Sequence, residues 1–159
     1  MQAKNITEKE VLEAQEKWAV GVIDIGKKFS EKKDYISCAE LFLEELYGFN
    51  YGDVLFKPTL ASETQFRLDK ASALSYFVGG STDYKEDNGF ALNCWTHIRF
   101  ENSGVRIEGN IAITMGNYFM IKDKTEMKVE YSFVYKKDDH GKLRIILHDS
   151  HLPYSPATV

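Results

Sequence analysis

The spacing of apolar residues changes once along this chain, and that change restricts the folds available to it. Between Val11 and Phe29, apolar residues recur at intervals of three and four, which predicts the buried stripe of an amphipathic helix. From Phe90 onwards they alternate with polar residues, which is typical of strands with one buried face. Short connections between the alternating segments predict antiparallel pairing. Helices followed by a long antiparallel sheet indicate an α+β fold.

Three helices are predicted in the first half of the chain. Thr7 and Glu10 have the spacing of a capping box, in which each side chain binds the backbone N–H of the other residue. The stripe of the first helix is expected to comprise Val11, Gln15, Trp18, Val22, Ile25 and Phe29. The second helix is predicted over residues 34–47, an extended piece over 51–59 and the third helix over 70–78.

The second half is predicted to be a sheet. Alternation marks strands over residues 90–100, 105–121, 127–135 and 143–147, separated by turns at 102–104, 122–124 and 138–141. Strands of this length twist and curl. We therefore expect a cone-shaped fold, in which a curved antiparallel sheet packs around the N-terminal helices and leaves a concave pocket.

Composition limits the classes of partner. The chain of 159 residues fits a single domain, 1–159, and its 24 acidic and 20 basic residues give a net charge of −4. That charge argues against a nucleic-acid partner, and no apolar run is long enough to span a membrane. No signal-peptide pattern is visible, so a cytoplasmic location is expected, although a signal peptide removed earlier stays open.

Six blocks of sequence occur in the order found in a known family. They are VLFKPT (54–59), ALSYFVGG (73–80), EDNGFA (86–91), MGNYF (115–119), VEY (129–131) and GKLRI (141–145). Together they resemble the metal-independent, iota-class carbonic anhydrases, a group within the nuclear-transport-factor-2-like superfamily. That superfamily has a cone-shaped α+β fold and includes the association domain of calcium/calmodulin-dependent protein kinase II. The resemblance covers residues 54–154.

The resemblance implies a pocket for CO2 or bicarbonate that is lined by hydroxyl groups and needs no metal or other cofactor. Thr59 matches the family threonine and Tyr76 the family tyrosine. The last strand of the family ends in His-His-Ser-Ser-x-Pro, whereas this chain reads HDSHLP over residues 148–153. Ser150 therefore keeps a family serine, while Asp149 replaces a histidine and His151 replaces a serine.

The parity of the last strand decides which of these residues face the pocket. Leu143, Ile145 and Leu147 are its more apolar set, so we expect the odd positions to face inward. Asp149 and His151 would then form an acid–base pair at the pocket mouth. A β-bulge would reverse the parity and place His148 and Ser150 inside. The candidate catalytic residues are Thr59, Tyr76, Asp149 and His151, and the candidate substrate-binding residues are Thr59, Tyr76 and Ser150.

The histidine pattern does not favour a zinc site. His148 and His151 lie three residues apart on a strand and so face opposite sides, and His140 lies in a turn. Arg67 and Lys57 lie near the predicted site, where each is either an anion holder or an ordinary surface charge.

Three functional hypotheses follow. The first is metal-free, reversible hydration of CO2. The alternative is a non-catalytic module of the same fold that associates into oligomers or binds a small anion, and the third is proton transfer by Asp149, as in ketosteroid isomerases. We also expect a homodimer formed through the sheet, because aromatic residues are predicted on both of its faces. They are Trp95, Tyr118, Phe119, Tyr131, Phe133 and Tyr135.

Overall fold

A computed structural model describes residues 5–156. The helices are α1 (Glu8–Ser30), α2 (Tyr35–Leu46) and α3 (Lys70–Val78), and the strands are β1 (Leu55–Lys57), β2 (His97–Glu108), β3 (Ile111–Lys122), β4 (Thr125–Lys137) and β5 (Leu143–His151). Two short 3-10 helices, Phe49–Tyr51 and Phe90–Asn93, lie between these elements.

The five strands form one open, curved sheet in the order β1-β5-β4-β3-β2. The four long strands pair antiparallel, as predicted. β1 is added at the edge of β5 in parallel orientation, so that the sheet is mixed. The sheet curves around the helices, which confirms the predicted α+β cone fold.

Helix α1 fills the cone. Thr7 and Glu10 make both hydrogen bonds of the capping box and fix its first turn. All of the predicted stripe is buried except Phe29, which is partly exposed and contacts Tyr35 edge-on. Trp18 lies at the centre, where its ring packs against three aromatic rings of the sheet and the imidazole of β5: Phe100, Tyr118, Phe133 and His148.

The strand predicted over residues 90–100 is wrong in its first half. Phe90–Asn93 is a 3-10 helix between Gly89 and Cys94, both with positive φ, and the strand begins only at His97. The indole N–H of Trp95 donates to the carbonyl of Phe90 over 3.0 Å and closes this turn. A short apolar run is compatible with either a strand or a helical turn. Here the residues form a turn of 3-10 helix that packs against α1.

The predicted turn at residues 102–104 is a β-bulge in β2, and the strand predicted over 105–121 is two strands. The chain reverses instead at Gly109 and Asn110, where Gly109 has a φ of 63°. The bulge turns the Asn102 side chain toward the cone, where it exchanges hydrogen bonds with Gln15 of α1. The predicted turns at 122–124 and 138–141 are confirmed.

Most of the six aromatic residues expected on the sheet lie inside the cone, so the outer face is less aromatic than predicted. Five of the six are buried inside the cone: Trp95, Tyr118, Tyr131, Phe133 and Tyr135. Phe119 alone of the six is on the outer face, where the Arg99 guanidinium lies 4.3 Å from its ring centre. Among the described residues, no helix is long and apolar enough to cross a membrane, and the cytoplasmic location stays a prediction.

Gly116 is required by the bulge of β2. A Cβ atom there would lie 2.2 Å from the carbonyl oxygen of Glu101 and 2.7 Å from the amide nitrogen of Ser103, both of them backbone atoms. We expect Gly116→Ala to lower the free energy of unfolding by about 1–3 kcal/mol in urea titrations. Gly104→Ala, in the same bulge but with open space around the new methyl group, should change it by no more than about 0.5 kcal/mol. Equal effects of the two variants would contradict this account.

Candidate active site

The parallel pairing of β1 with β5 creates the candidate site. Lys57 pairs with Asp149 in the register, so the next residues along both strands lie side by side. The hydroxyl oxygens of Thr59 and Ser150 are 2.9 Å apart. The Lys57 ammonium donates to the backbone carbonyls of Ser150 and Pro58, at 3.0 and 3.1 Å, and clamps the two strand ends together. Lys57 therefore positions the backbone of the site.

Two buried tyrosines complete a cluster of four hydroxyl groups. The Tyr76 oxygen accepts the Leu60 backbone N–H over 3.2 Å. Burial raises the pKa of Tyr76 far above its ordinary value, although hydrogen bonds from Leu60 and Thr59 oppose the rise. Burial likewise raises the pKa of Tyr118 to about 12, against hydrogen bonds from Thr59 and Ser150. All four groups therefore stay neutral near pH 7.

A bulge in β5 reverses the parity that the apolar residues predicted. Val134 pairs with Leu147 and Tyr135 with Ile145, so Ile146 is an extra residue. His148 and Ser150 consequently point into the cone and are buried.

The expected inward orientation of Asp149 and His151 is wrong for the same reason. Both side chains lie on the outer face, with 44% and 52% of their surfaces exposed, and His151 Nε2 is 2.9 Å from Asp149 Oδ1. The two departures from the family pattern thus contact each other outside the pocket. Thr59, Tyr76 and Ser150 are brought together, as the resemblance implied.

His148 lies beside the hydroxyl cluster in the most apolar part of the cone. Its ring packs 4.2 Å from the ring centre of Phe133 and 4.8 Å from that of Phe56. Its Nδ1 lies 2.9 Å from the Tyr47 hydroxyl and its Nε2 lies 3.4 Å from the Tyr118 hydroxyl. Burial lowers the pKa of His148 to about 3, so the imidazole is neutral at physiological pH.

A buried ion pair holds the loop that carries Thr59. Arg67 makes two parallel hydrogen bonds of 2.8 Å to Asp87, which also accepts the Ser75 hydroxyl from helix α3, one residue before Tyr76. The neighbouring Glu86 carboxylate accepts the backbone N–H groups of residues 62–64 of the same loop. Arg67 is fully buried and paired, so it connects the Thr59 loop to the Tyr76 helix.

The remaining histidines are dispersed. His97 and His140 are exposed on β2 and in the β4–β5 turn. Within residues 5–156, no three His, Cys, Asp or Glu side chains lie close enough together to hold a metal ion. This arrangement offers neutral, oriented hydroxyl donors and acceptors among buried aromatic rings, which suits a small molecule that gains negative charge.

A sequence model of the family described as metal-independent carbonic anhydrase matches residues 9–152. The chain belongs to this family. A metal-independent carbonic anhydrase from Nostoc sp. is 44% identical over 153 residues, which are 94% of this chain and 75% of that protein. The crystal structure of a cyanobacterial iota-carbonic anhydrase in complex with bicarbonate superposes with a TM-score of 0.93 at 41% identity, over 96% of this chain and 95% of that one.

More distantly related structures are similar to this carbonic anhydrase family member only in their fold. An NTF-2-like protein of unknown function from Shewanella oneidensis superposes with a TM-score of 0.56 at 13% identity, over 90% of this chain and 97% of that one. A putative ketosteroid isomerase from Parabacteroides distasonis superposes with a TM-score of 0.52 at 16% identity, over 72% of this chain and 75% of that one. These similarities confirm the nuclear-transport-factor-2-like cone.

Sequence reasoning missed two members of the site, Tyr118 and Tyr47. Tyr118 belongs to one of the family blocks, and the alternation of β3 places it on the same face as Ala112 and Met120. That alternation was a usable signal. Tyr47 carried no signal, because its position depends on the end of α2 lying against β5, where the Gly48 N–H donates to the Ile145 carbonyl.

Burial of a neutral His148 makes the stability of the fold dependent on pH. The unfolded chain binds a proton at this histidine near pH 6.5, whereas the folded chain does so only near pH 3. The contribution of His148 to the free energy of unfolding is therefore complete above pH 6.5. It is lost as the pH falls toward 3, by up to about 1.4 kcal/mol per pH unit.

We expect urea unfolding between pH 7 and pH 4 to show a steeper loss of stability for the wild type than for His148→Gln. His140→Gln is the control, because that side chain is exposed in a turn. If wild type and His148→Gln lose stability in parallel, His148 is not a buried neutral imidazole.

Proposed function

We propose that this protein catalyses the reversible hydration of CO2 to bicarbonate without a metal ion, at the hydroxyl cluster of Thr59, Tyr76 and Ser150. The observation that carries the proposal is the 2.9 Å contact between Thr59 and Ser150, with the buried Tyr76 hydroxyl beside them. Membership of the family supports it, as does the similar cyanobacterial structure that was solved with bicarbonate.

In the proposed reaction a water oxygen forms a bond to the carbon of CO2, and one C=O electron pair moves onto an oxygen, which becomes negatively charged. Tyr76 is well placed to stabilise that oxygen. Since the Leu60 N–H occupies its oxygen as an acceptor, its own O–H is free to donate into the pocket. Preorganised donors of this kind stabilise charge that develops in the transition state.

The attacking water must lose one proton to yield bicarbonate. Thr59 and Ser150 share a hydrogen bond in which either oxygen is able to donate, so the pair is able to orient the water and pass its proton on to solvent. His148 is a poor base because of its low pKa, and the Asp149–His151 pair lies on the outer face of the sheet. We assign the proton transfer to the hydroxyl pair and give Asp149 and His151 no part in it.

The proposal predicts that Thr59→Val, Ser150→Ala and Tyr76→Phe each lower kcat for CO2 hydration on the order of a hundredfold, because each removes one oriented group. Stopped-flow measurements on chelator-treated protein check this, with circular dichroism to verify folding. Asp149→Asn and His151→Ser are the matched controls, since they alter the outer face of the same strand end, and both should retain wild-type kcat.

Two outcomes would contradict the proposal. If His151→Ser raises activity from near zero, the outer-face position of His151 does not describe the working enzyme. If wild type and controls are all inactive, hydration is not the function. Retained binding of bicarbonate would then favour the non-catalytic, anion-binding alternative.

We further propose that the protein forms a homodimer through the outer face of the sheet. Ile113 and Met115 of β3 are exposed there, and an apolar groove of about 470 Å³ lies beside β1, lined in part by Leu55 and Phe66. Exposed apolar surface on the face of a sheet is a mark of interaction sites.

Sedimentation velocity should therefore show a dimer at micromolar concentration, and Met115→Glu should convert it to a monomer, because a charge would be buried in the interface. Leu12→Glu on the exposed side of α1 is the control and should leave the dimer intact. A monomeric wild type would contradict the prediction.

A further inference from the structure

A buried chain of hydrogen bonds leads from helix α1 to the hydroxyl cluster. The Trp18 indole N–H donates to the Tyr47 oxygen over 3.0 Å, the Tyr47 hydroxyl lies 2.9 Å from His148 Nδ1, and the Tyr118 hydroxyl lies 3.4 Å from His148 Nε2. All four side chains are almost completely buried. The function proposed above uses none of these bonds directly.

The chain of hydrogen bonds has a direction because its four side chains differ in what they are able to donate. An indole N–H is only a donor, so the Tyr47 oxygen must accept at that side. The Tyr47 proton then needs an acceptor of its own, and within residues 5–156 the one recorded partner left is His148 Nδ1. Leaving that buried O–H without an acceptor would destabilise the fold.

The direction of the first link fixes the tautomer of His148. A neutral imidazole carries one N–H, and burial keeps His148 neutral. Since Nδ1 accepts from Tyr47, the proton lies on Nε2 and points at the Tyr118 oxygen, 3.4 Å away. Tyr118 is thereby an acceptor toward His148, and its own O–H is left to donate to another group. Ser150 follows His148 by two residues on the inner face of β5 and bonds the Thr59 hydroxyl, so this pair lies on the same side of the strand as His148.

We propose that Tyr47, fixed by Trp18, sets the direction of these hydrogen bonds and thereby leaves the Tyr118 hydroxyl to donate toward the hydroxyls of Thr59 and Ser150. Tyr118 is then a further substrate-stabilising group, and Tyr47 and His148 are positioning residues that act through it. The inference rests on the proposed CO2 hydration, since its consequence is an additional donor for the oxygen that becomes negatively charged.

The same cone contains a matched control. Tyr135 is a buried tyrosine on the strand that carries Tyr131 and Phe133, and its hydroxyl has no hydrogen-bond partner among the described residues. Tyr135→Phe removes a buried hydroxyl outside the chain of hydrogen bonds. Tyr47→Phe and Tyr118→Phe remove one hydroxyl each from within it, by the same chemical change.

The first experiment measures the tautomer and needs no enzymatic activity. In protein labelled with ¹⁵N-histidine, nitrogen chemical shifts at pH 7 report which ring nitrogen of each histidine carries the proton, and the His148→Gln spectrum identifies the His148 signals. We expect only the Nε2–H form in the wild type, in Tyr118→Phe and in Tyr135→Phe. Tyr47→Phe should show a mixture, because Nδ1 has lost its donor.

The second experiment compares kcat for CO2 hydration in the same proteins. Tyr118→Phe should lower kcat on the order of a hundredfold with little change in KM, because a donor to the transition state is lost. Tyr47→Phe should lower it less, since part of the population keeps the Nε2–H form. Tyr135→Phe should match the wild type.

Each unfavourable result has a separate meaning. An Nδ1–H form in the wild type, or a pure Nε2–H form in Tyr47→Phe, would overturn the proposed direction of the chain. Wild-type kcat in Tyr118→Phe would overturn the role of Tyr118. If the wild type does not hydrate CO2, the proposed function fails, while the tautomer measurements still decide whether Tyr47 directs the chain.

Discussion

The three residue pairs between β1 and β5 hold the candidate site together. Thr59 belongs to a loop with little regular structure, and Ser150 stands one residue before the end of the last strand. Parallel pairing at the sheet edge brings their hydroxyls into contact, and the Lys57 ammonium fastens the two backbones where the pairing ends. Without this edge strand, the Thr59 hydroxyl would not be held beside Ser150.

Burial explains why the polar groups of the site are neutral and why burying them costs free energy. A tyrosine hydroxyl or an imidazole inside an apolar cone stays neutral, and a hydrogen bond lowers the free-energy cost of burying it. The raised pKa of Tyr118 and the lowered pKa of His148 are two expressions of this one constraint. Of the charged groups of the region, Arg67 and Asp87 are paired in a buried contact, Asp149 lies on the outer face, and the Lys57 ammonium binds backbone carbonyls.

Positions with a strong local signal were predicted well. The capping box at Thr7, the stripe of α1 and the bounds of α3 follow from hydrogen bonding and spacing within a few residues, and the structure has them. The resemblance pointed to Thr59, Tyr76 and Ser150, and the structure places the Thr59 hydroxyl against Ser150 and the Tyr76 hydroxyl against the backbone of Leu60. The errors fall at the two bulges and the 3-10 turn at Phe90, where one extra residue or one turn of helix interrupts the alternation.

The sequence by itself determined the fold class and the family and pointed to Thr59, Tyr76 and Ser150 as candidate site residues, because periodicity and motifs are local properties of the chain. Only the tertiary structure decided which face Asp149 and His151 occupy, since a bulge at Ile146 reverses the parity of every later residue in β5. It alone also joined Trp18, Tyr47, His148 and Tyr118, which come from two helical regions and two strands. These contacts join residues 29 to 101 positions apart and depend on how the sheet curves, and no spacing along the chain encodes that curvature.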